Sequence, residues 1–376
     1  MTALFNKQSI LILCPIYKPY AGGGGQYFPL LVKNIASLNL FKRVIVLTEY
    51  HKYHSIVENE SGIILIRCLP KRDSLEDKSL LYSVISFLVT YLMILFLVPV
   101  LIILFKVSIF QFTRYYYLPL FFLSWFVQNI LGAKVILDIR TNVERDYIFK
   151  KMFGVNIYLS ISKNITEQLI RAGKRSDQIT EIPNVIEFDK KNSLASDLDI
   201  IKMHLSKDQK KYILFVGQLV DRKSIKEALD AFKDYRADNP LSYFVIIGRD
   251  MYNLESKGLL KKTDGIIYLG EQPREVALAF IRQSSLILQP SKMEGISRVS
   301  LEALKYNKMV LLPNCVDEFV SSNPSFTVKH NTAKEILSKI YELLESKDKP
   351  IYDVSIHHPE YHKQRLLELY KSLFNG

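Results

Sequence analysis

A run of 27 residues without a single charge, from Ser79 to Phe105, constrains the fold of this chain more than any other feature. As one α-helix it would measure about 40 Å, whereas the hydrocarbon core of a bilayer is only about 30 Å thick. Taken alone, the run predicts a membrane-spanning helix. Whether it can cross a membrane depends on the segments on either side of it.

Segments typical of buried strands lie on both sides of the apolar run and alternate with helix-like segments. The predicted strands are Ser9–Cys14, Arg43–Leu47, Gly62–Arg67, Val107–Phe112 and Lys134–Ile139. Such alternation indicates a parallel sheet that is covered by helices on both faces. Because strands before and after the run would share one sheet, a single membrane crossing would separate them and is excluded.

Three arrangements remain for the apolar segment, which we define as residues 79–131. It lies in the membrane interface as an in-plane helix, it forms a hairpin whose second arm is Tyr115–Leu131, or its long helix is buried in the core. We favour monotopic attachment to an anionic membrane surface rather than binding of nucleic acid, because the net charge of +12 accompanies this segment. Basic and aromatic residues at its margins are Lys71, Arg72, Lys78, Lys106, Arg114, Tyr115, Tyr116, Tyr117 and Trp125.

The second half of the chain repeats the strand–helix alternation, starting at Tyr212–Val216. We therefore predict an N-terminal domain over residues 1–188 and a C-terminal domain over residues 189–358. A terminal helix at 359–376 is expected to pack back on the N-terminal domain, and an irregular stretch at 187–211 is the expected linker. Three cysteines far apart in the sequence indicate a reducing compartment.

The segment from Pro290 to Leu304 combines two acidic residues, a glycine and a helical pattern. An apolar, strand-like run ends before Pro290 and helical spacing follows, so Glu294 is predicted to lie in a strand-to-helix turn. Backbone N–H groups at the start of a helix attract phosphate, and here they belong to Gly295, Ile296, Ser297 and Arg298. Glu302 follows two turns inside the helix on the same face. The pattern predicts a site for a sugar nucleotide.

Glycines follow two other predicted strands. Gly217 ends the strand Tyr212–Val216, and Arg222 and Lys223 come shortly after it. The second group forms a predicted loop after the first strand and comprises Gly22, Gly23, Gly24 and Gly25. Glycines at such positions let backbone N–H groups come close to a phosphate or an acceptor.

Together these motifs resemble those of the retaining glycosyltransferases of family 4. Glu294 and Glu302 match the Glu-x7-Glu motif of that family, and Gly217 with Lys223 matches its strand, glycine and lysine pattern. The resemblance implies an α/β chain with the GT-B fold, in which two Rossmann-like, doubly wound domains face each other across a cleft. It also implies that Glu294 holds hydroxyls of the donor sugar, that Glu302 binds the ribose, and that Lys223 reaches the diphosphate.

The chain departs from the family pattern at three places. The family arginine after the glycine is Gln218 here, and Arg222 can replace its charge but not its position. Residues 307–309 differ from the usual Gly-x-Pro after the second glutamate. Near the end of the fifth strand many members have a histidine, whereas this chain has Asp138 and Arg140, which we expect on the acceptor side.

The resemblance implies a retaining hexosyltransferase that uses a nucleotide-sugar substrate, a UDP-sugar being expected, by front-face transfer. We expect no cofactor and no metal, since the chain has no Asp-x-Asp pair of the kind that metal-dependent glycosyltransferases use, and since no metal-binding pattern of acidic or cysteine residues accompanies His358 and His362. The apolar segment adds the expectation of a lipid-linked glycan acceptor at the cytoplasmic face of the plasma membrane, in assembly of a bacterial capsule, O-antigen or exopolysaccharide. The alternatives are a catalytically silent membrane scaffold or binding protein with the same fold and a nucleotide-sugar epimerase.

Overall fold

The chain forms two compact units in its computed structural model, which describes residues 8–14, 17, 23–70, 80–113, 118–140, 150–188, 194–206 and 211–375. Unit 1 comprises residues 1–185 together with residues 359–376. Unit 2 comprises residues 186–358. The division therefore lies close to the boundaries expected at 188 and 358.

The described part of unit 1 contains an eight-stranded sheet in the order β3-β4-β2-β1-β5-β6-β7-β8. Its strands are β1 (Ser9–Leu13), β2 (Arg43–Glu49), β3 (Val57–Glu60), β4 (Ile63–Leu69), β5 (Val107–Phe112), β6 (Lys134–Ile139), β7 (Ile157–Ser160) and β8 (Ile179–Glu181). Every pairing is parallel except β3 with β4. All five residues of β1 are buried, because helices cover both faces of a parallel sheet. The parallel sheet confirms the prediction, whereas the antiparallel edge strand β3 was not expected.

Among the described residues of unit 1, four helices precede its last strand, namely α1 (Gly23–Ser37), α2 (Leu80–Phe105), α3 (Leu118–Asn129) and α4 (Lys163–Arg171). Helix α2 is the apolar run, and it is long and apolar enough to cross a membrane by length and composition. It is followed directly by β5, which pairs with β1 and β6 inside the sheet. Because this strand separates α2 from α3, the two helices do not form one continuous hairpin.

Helix α2 has two different faces. Tyr91, Ile94, Val98 and Leu101 are buried at helical spacing, so part of α2 belongs to the core, as one of the three arrangements predicted. The opposite side is exposed, and α3, which contacts α2, also carries exposed apolar side chains. We call this surface the apolar face; it comprises Val84, Ile85, Phe87, Leu88, Val89, Leu92, Phe96, Ile103, Leu104, Phe122, Trp125, Phe126 and Ile130. The expected margin residues Lys71, Arg72, Lys78, Arg114 and Tyr115, Tyr116 and Tyr117 lie outside the described residues.

Unit 2 contains, in its described part, a five-stranded parallel sheet in the order β11-β10-β9-β12-β13. The strands are β9 (Tyr212–Val216), β10 (Tyr243–Ile247), β11 (Ile266–Tyr268), β12 (Leu286–Leu288) and β13 (Val310–Leu311). The helices are α5 (Leu194–Lys202), α6 (Ile225–Asp238), α7 (Arg274–Gln283), α8 (Arg298–Lys305), α9 (Asp317–Ser322) and α10 (Ala333–Glu345). From β9 the chain adds strands first on one side and then, with β12, on the other. The carboxyl ends of β9 and β12 therefore flank a topological switch point, which is where open α/β sheets bind ligands.

The expected linker at 187–211 is wrong in one respect, because it contains helix α5. This helix packs on α7, and the guanidinium of Arg282 donates to the Asp197 carboxylate from Nε at 2.6 Å. A buried ion pair of this kind fixes the helix against the sheet layer of unit 2, since Asp197 is buried. The sequence of this stretch shows no clear helical periodicity, so helix α5 was not predicted.

The last helix, α11 (Pro359–Asn375), belongs to unit 1. Leu366, Leu369 and Tyr370 are buried in the same core cluster as Ile10 and Leu31. The hydroxyl of Tyr370 also donates to Gln111 Oε1 at 2.9 Å, inside the sheet. Helix α11 thus completes the core of unit 1.

Candidate active site

Two loops of unit 2 are held together at the switch point, one after β9 and one after β12. The backbone N–H of Lys292 donates to the carbonyl oxygen of Arg222 at 2.8 Å. The ammonium of Lys292 also donates to Glu227 Oε1, at the start of α6, at 2.6 Å. Sequence reasoning did not single out Lys292, whose role depends on a contact between loops about seventy positions apart. These contacts fix the turn that carries Lys223 beside the turn that carries Glu294.

Lys223 and Glu294 are in direct contact. The ammonium of Lys223 donates to Glu294 Oε1, and both side chains are nearly buried, with 12% and 13% of their surface exposed. Ser291 Oγ donates to the same carboxylate oxygen at 3.3 Å, and Arg222 Nη1 lies 4.0 Å from it. The structure therefore brings three predicted site residues together around one carboxylate.

The protonation state of Lys223 depends on its surroundings. Burial, and secondarily the neighbouring Arg222 guanidinium, lower the pKa of Lys223 to about 7. Contact with Glu294 favours the charged form, so an approaching anion and this carboxylate compete for the same ammonium. A lysine with such a pKa responds to ligands and to pH in the neutral range.

Helix α8 begins immediately after the Glu294 turn. Ser297 is its N-cap, because its hydroxyl accepts from the backbone N–H of Ser300 at 3.2 Å. The same hydroxyl donates to Gln289 Oε1 at 3.4 Å, and Gln289 Nε2 donates to the carbonyl oxygen of Val216 at 3.1 Å. Gln289 therefore ties the end of β9 to the start of α8.

The other predicted residues of this turn lie at the start of α8. Gly295 and Ile296 are buried, and Arg298 is the first helical residue, with its guanidinium nitrogens buried. First-turn N–H groups of a helix favour an anion, and phosphate binding at this turn stays a prediction.

Glu302 is buried on α8 and already has a partner. Arg274, the first residue of α7, donates from Nη1 to Glu302 Oε1 at 2.6 Å and from Nε to Glu187 Oε2 at 3.1 Å. Lys305 Nζ donates to the backbone carbonyl of Glu187 at 3.0 Å. Sequence reasoning missed Arg274, since no spacing in the sequence connects it with Glu302. The arginine positions the carboxylate and neutralises its charge.

Gly217 and Gly248 allow the ends of β9 and β10 to come together. The two glycines have φ angles of +152° and +148°, and a Cβ added at Gly248 would lie 1.8 Å from the carbonyl oxygen of Gly217. The backbone N–H of Gly217 donates to the carbonyl oxygen of Ile247 at 2.9 Å. Only glycine fits such an approach, which sets the direction of the chain toward Lys223.

The predicted glycine loop of unit 1 differs from its expectation. Gly23, Gly24 and Gly25 lie in the first turn of α1 instead of in a loop, and Gly22 lies outside the described residues. Each glycine is about 1 kcal/mol less favourable than alanine inside a helix, so helix stability does not explain this run. The first-turn N–H groups of α1 remain suited to an anion, as predicted for the loop.

Asp138 and Arg140, expected on the acceptor side, form a buried network in unit 1. Arg140 Nε lies 2.5 Å from Asp138 Oδ1, and its two terminal nitrogens donate to Tyr27 Oη, Asn184 Oδ1 and Asp138 Oδ2. Asp138 is wholly buried and also accepts from Gln111 at 3.4 Å. The Asp138 carboxylate is therefore enclosed by the protein, and Arg140 connects it with Tyr27 on α1. That the two residues lie on the acceptor side stays a prediction.

The two histidines considered as metal ligands are also accounted for. His362 is buried in unit 1, with its Nδ1 atom 3.0 Å from Asn34 Nδ2, and His358 packs its ring on Phe188 in unit 2. Within the described ranges, no group of three or more histidine, cysteine or acidic side chains is placed to hold a metal ion.

Comparisons with known proteins agree with this geometry. Residues 197–352 match the family model described as glycosyl transferases group 1. Among solved structures, sucrose-phosphate synthase (tll1590) from Thermosynechococcus elongatus has a TM-score of 0.74 at 14% identity, covering 98% of this chain and 99% of that one. Anabaena Alr3699/HepE in complex with UDP has a TM-score of 0.67 at 12% identity, with 97% and 100% covered.

A further similar structure is an α,α-trehalose-phosphate synthase (UDP-forming) from Burkholderia xenovorans in complex with glucose-6-phosphate. Its TM-score is 0.64 at 11% identity, with 97% of this chain and 96% of that one covered. At such identities the likeness defines the fold. Residues 197–352 are therefore similar to glycosyl transferases group 1, and the chain as a whole has the α/β GT-B fold of two Rossmann-like domains.

Proposed function

We propose that the protein transfers a sugar from a nucleotide-sugar donor, UDP-linked, with retention of the anomeric configuration and without a metal ion. The observation that carries the proposal is the contact of Lys223 with Glu294 at the switch point of unit 2, next to the N-terminus of α8. The match of residues 197–352 to glycosyl transferases group 1 supports it. The UDP and glucose bound in the Anabaena structure support the donor class.

In this mechanism donor binding separates Lys223 from Glu294. The donor diphosphate takes the ammonium of Lys223, with Arg222 nearby, and the first-turn N–H groups of α8 stabilise the charge that develops as the sugar leaves. Glu294 is then released to accept hydrogen bonds from sugar hydroxyls. Glu302, held by Arg274, has its second oxygen for the ribose.

The sugar is transferred on the face from which the diphosphate departs. The bond from the anomeric carbon to the phosphate oxygen breaks, the acceptor hydroxyl forms the new bond, and the departing phosphate takes the proton of that hydroxyl. Glu294 accepts hydrogen bonds from the sugar hydroxyls once Lys223 has turned to the diphosphate, and Glu302 is held by Arg274, so neither carboxylate is left to act as a covalent nucleophile. Retention therefore follows from front-face transfer rather than from two displacements.

We propose a lipid-linked glycan as the acceptor, at the cytoplasmic face of the plasma membrane, in assembly of a bacterial surface polysaccharide. The apolar face of α2 and α3 supports a substrate that is presented by a membrane. The glucose-6-phosphate complex of the Burkholderia protein favours a sugar phosphate as the second candidate acceptor. Lipid extract and sugar phosphates offered separately to the enzyme distinguish the two.

Donor turnover tests the proposal directly. The detergent-purified protein is incubated with UDP-, GDP- and dTDP-sugars, and release of the nucleotide diphosphate is measured beside the Glu294→Gln variant. We expect turnover of one donor class and a loss of about 10²–10³-fold in the variant, because a preorganised contact to the reacting sugar is removed. Absence of both turnover and nucleotide binding across the panel would instead support a catalytically silent scaffold.

Donor binding is also expected to take up protons above neutral pH. Since the pKa of Lys223 is about 7 without donor and a diphosphate favours the ammonium, binding at pH 8.5 should take up close to one proton. The donor Kd should then rise by up to about tenfold per pH unit above pH 7. Calorimetric titration in buffers of different ionisation enthalpy measures the uptake. Lys223→Arg, whose guanidinium stays charged, is the control, and equal uptake in both proteins would contradict the assignment.

A further inference from the structure

The apolar face is built to meet a non-aqueous medium. Leu92 and Phe96, one helical turn apart on α2, are 66% and 71% exposed, and Trp125 on α3 is half-exposed. Neither helix contains a charged residue. Exposed apolar side chains in this number on two contacting helices indicate an interaction site rather than ordinary protein surface.

Polar groups of the two helices are satisfied within the helices themselves. The hydroxyl of Thr90 donates to the carbonyl oxygen of Ser86 at 2.7 Å, and the hydroxyl of Ser124 donates to that of Leu120 at 2.7 Å. The amide of Asn129 likewise donates to the carbonyl oxygen of Trp125 at 2.8 Å. Thr90 and Ser124 are buried in the protein, so the exposed side of the two helices is left mainly to apolar side chains.

Charge at the margin of the apolar face favours an anionic medium over a protein partner. No acidic residue occurs between Lys78 and Asp138 in the sequence. Exposed Lys106 follows α2 and lines a groove with Ile103 and Gly132, at the end where α2 and α3 finish. Exposed Lys150 and Lys151 are on the segment whose Phe153 ring lies 5.2 Å from that of Phe122 on α3. Lysines around an apolar patch are complementary to anionic lipid headgroups.

The same helix cannot span the bilayer. Helix α2 runs from the strand β4 to the strand β5, and both strands belong to one sheet. A helix of 26 residues that crossed a membrane would place its two ends on opposite sides of it, about 39 Å apart along the helix axis. Its other face is also committed, because Ile94, Val98 and Leu101 are part of the protein core. Only the exposed face is available, so contact with lipid is in the plane of the surface.

We propose that the apolar face docks in the plane of an anionic lipid bilayer, with Leu92, Phe96 and Trp125 among the acyl chains and the lysines Lys106, Lys150 and Lys151 at the headgroups. This docking does not depend on the proposed sugar transfer. It gives the proposed lipid-linked acceptor a surface on which it can be reached, and it commits the protein to the monotopic arrangement. A second copy of the chain covering the same face is the competing occupant.

The single tryptophan of the chain makes the proposal testable without labels, since Trp125 lies on the apolar face. The full-length protein is mixed with vesicles of phosphatidylcholine containing a quarter phosphatidylglycerol, and co-flotation and Trp125 emission are recorded. We expect flotation, a blue shift, and stronger quenching by bromines near the headgroup end of the acyl chains than by bromines near the bilayer centre. Deep quenching would overturn the in-plane arrangement.

Matched variants distinguish docking through the apolar face from nonspecific hydrophobic binding to vesicles. Leu92→Glu/Phe96→Glu should weaken vesicle binding by at least about tenfold, because two apolar side chains become anionic. Met203→Glu/Leu241→Glu changes two side chains of unit 2 that are 79% and 85% exposed, and should leave binding unchanged. Lys150→Gln/Lys151→Gln should weaken binding to the anionic vesicles by about fivefold or more, and barely affect neutral ones.

Sedimentation without lipid decides between the two occupants. A monomer that binds vesicles supports the proposal. A dimer that the Leu92→Glu/Phe96→Glu variant dissociates, together with no flotation and no quenching by brominated lipid, would assign the apolar face to a second copy and overturn it. None of these measurements uses a sugar donor, so their failure is distinct from failure of donor turnover.

Discussion

Replacing Lys223 with Met should lower the rate of sugar transfer by about 10²–10³-fold, the usual loss when one preorganised charge-stabilising group is removed. The side chain has similar length and loses only its charge, which in the proposed mechanism neutralises the departing diphosphate. Transfer is measured as release of the nucleotide diphosphate at saturating donor. Lys223→Arg should retain more activity than Lys223→Met, because its charge persists at every accessible pH.

Stability separates a catalytic loss from an unfolded protein. In Lys223→Met the nearly buried Glu294 carboxylate loses its main partner, and breaking a buried ion pair costs about 3–5 kcal/mol, less here because Arg222 lies 4.0 Å away. Lys223→Met/Glu294→Gln should recover part of that free energy of unfolding, since neither charge remains. It should recover no activity. If the double variant regained transfer, the lysine would serve the fold and not the reaction.

The fold was largely predictable because its strands are continuous apolar runs. β1, β2, β5 and β6 lie inside a parallel sheet, so burial on both faces is visible directly in sequence. The exposed β3 at the sheet edge has the sequence Val-Glu-Asn-Glu, which carries no such signal. Helix α5 was missed for a related reason, since its position depends on the ion pair of Asp197 with Arg282. Secondary-structure elements that are stabilised by residues distant in sequence cannot be predicted from the local sequence pattern.

The residues of the candidate site likewise fall into those that the sequence predicts and those that only tertiary contacts reveal. Motif resemblance identified Glu294 and Lys223, and the adjacency of β9 and β12 accounts for their meeting across seventy-one positions. Sequence reasoning did not find Arg274 and Lys292, because each acts through a contact with a distant segment that no periodicity encodes. Asp138 was assigned to the acceptor side from its place at a strand end. Its burial, with Gln111 as a partner 27 positions away, is a tertiary property, and a sequence does not state which carboxylates are enclosed.

Uniform hydrophobicity explains why the sequence left three arrangements open for α2. A helix that is apolar all round has no moment that distinguishes a core face from a lipid face. The structure separates them by packing, since Ile94 and Val98 contact the core whereas Leu92 and Phe96 are exposed. The exclusion of a single crossing, in contrast, was available from sequence, because strands on both sides of the run belong to one sheet.

Gly248→Ala should destabilise unit 2 by about 3 kcal/mol or more, and so weaken donor binding as well. The new Cβ would lie 1.8 Å from the backbone carbonyl oxygen of Gly217, which no side-chain rotation can relieve, and its φ of +148° is strained for alanine. The ends of β9 and β10 must then separate, moving the turn that carries Lys223. Chemical denaturation of the full chain, followed by circular dichroism, measures the loss.

Gly270→Ala is the matched control, because Gly270 ends the neighbouring strand region and accepts from the N–H of Gly248 at 2.8 Å. Its φ is +68°, but a Cβ there meets no atom within 4 Å, so only the strain of a left-handed alanine remains, about 1–2 kcal/mol. The difference between the two variants isolates the close approach of the strands from backbone strain. Equal losses would mean that the approach of Gly248 to Gly217 is not required, and that the position of Lys223 is set instead by the hydrogen bond from Lys292 to Arg222.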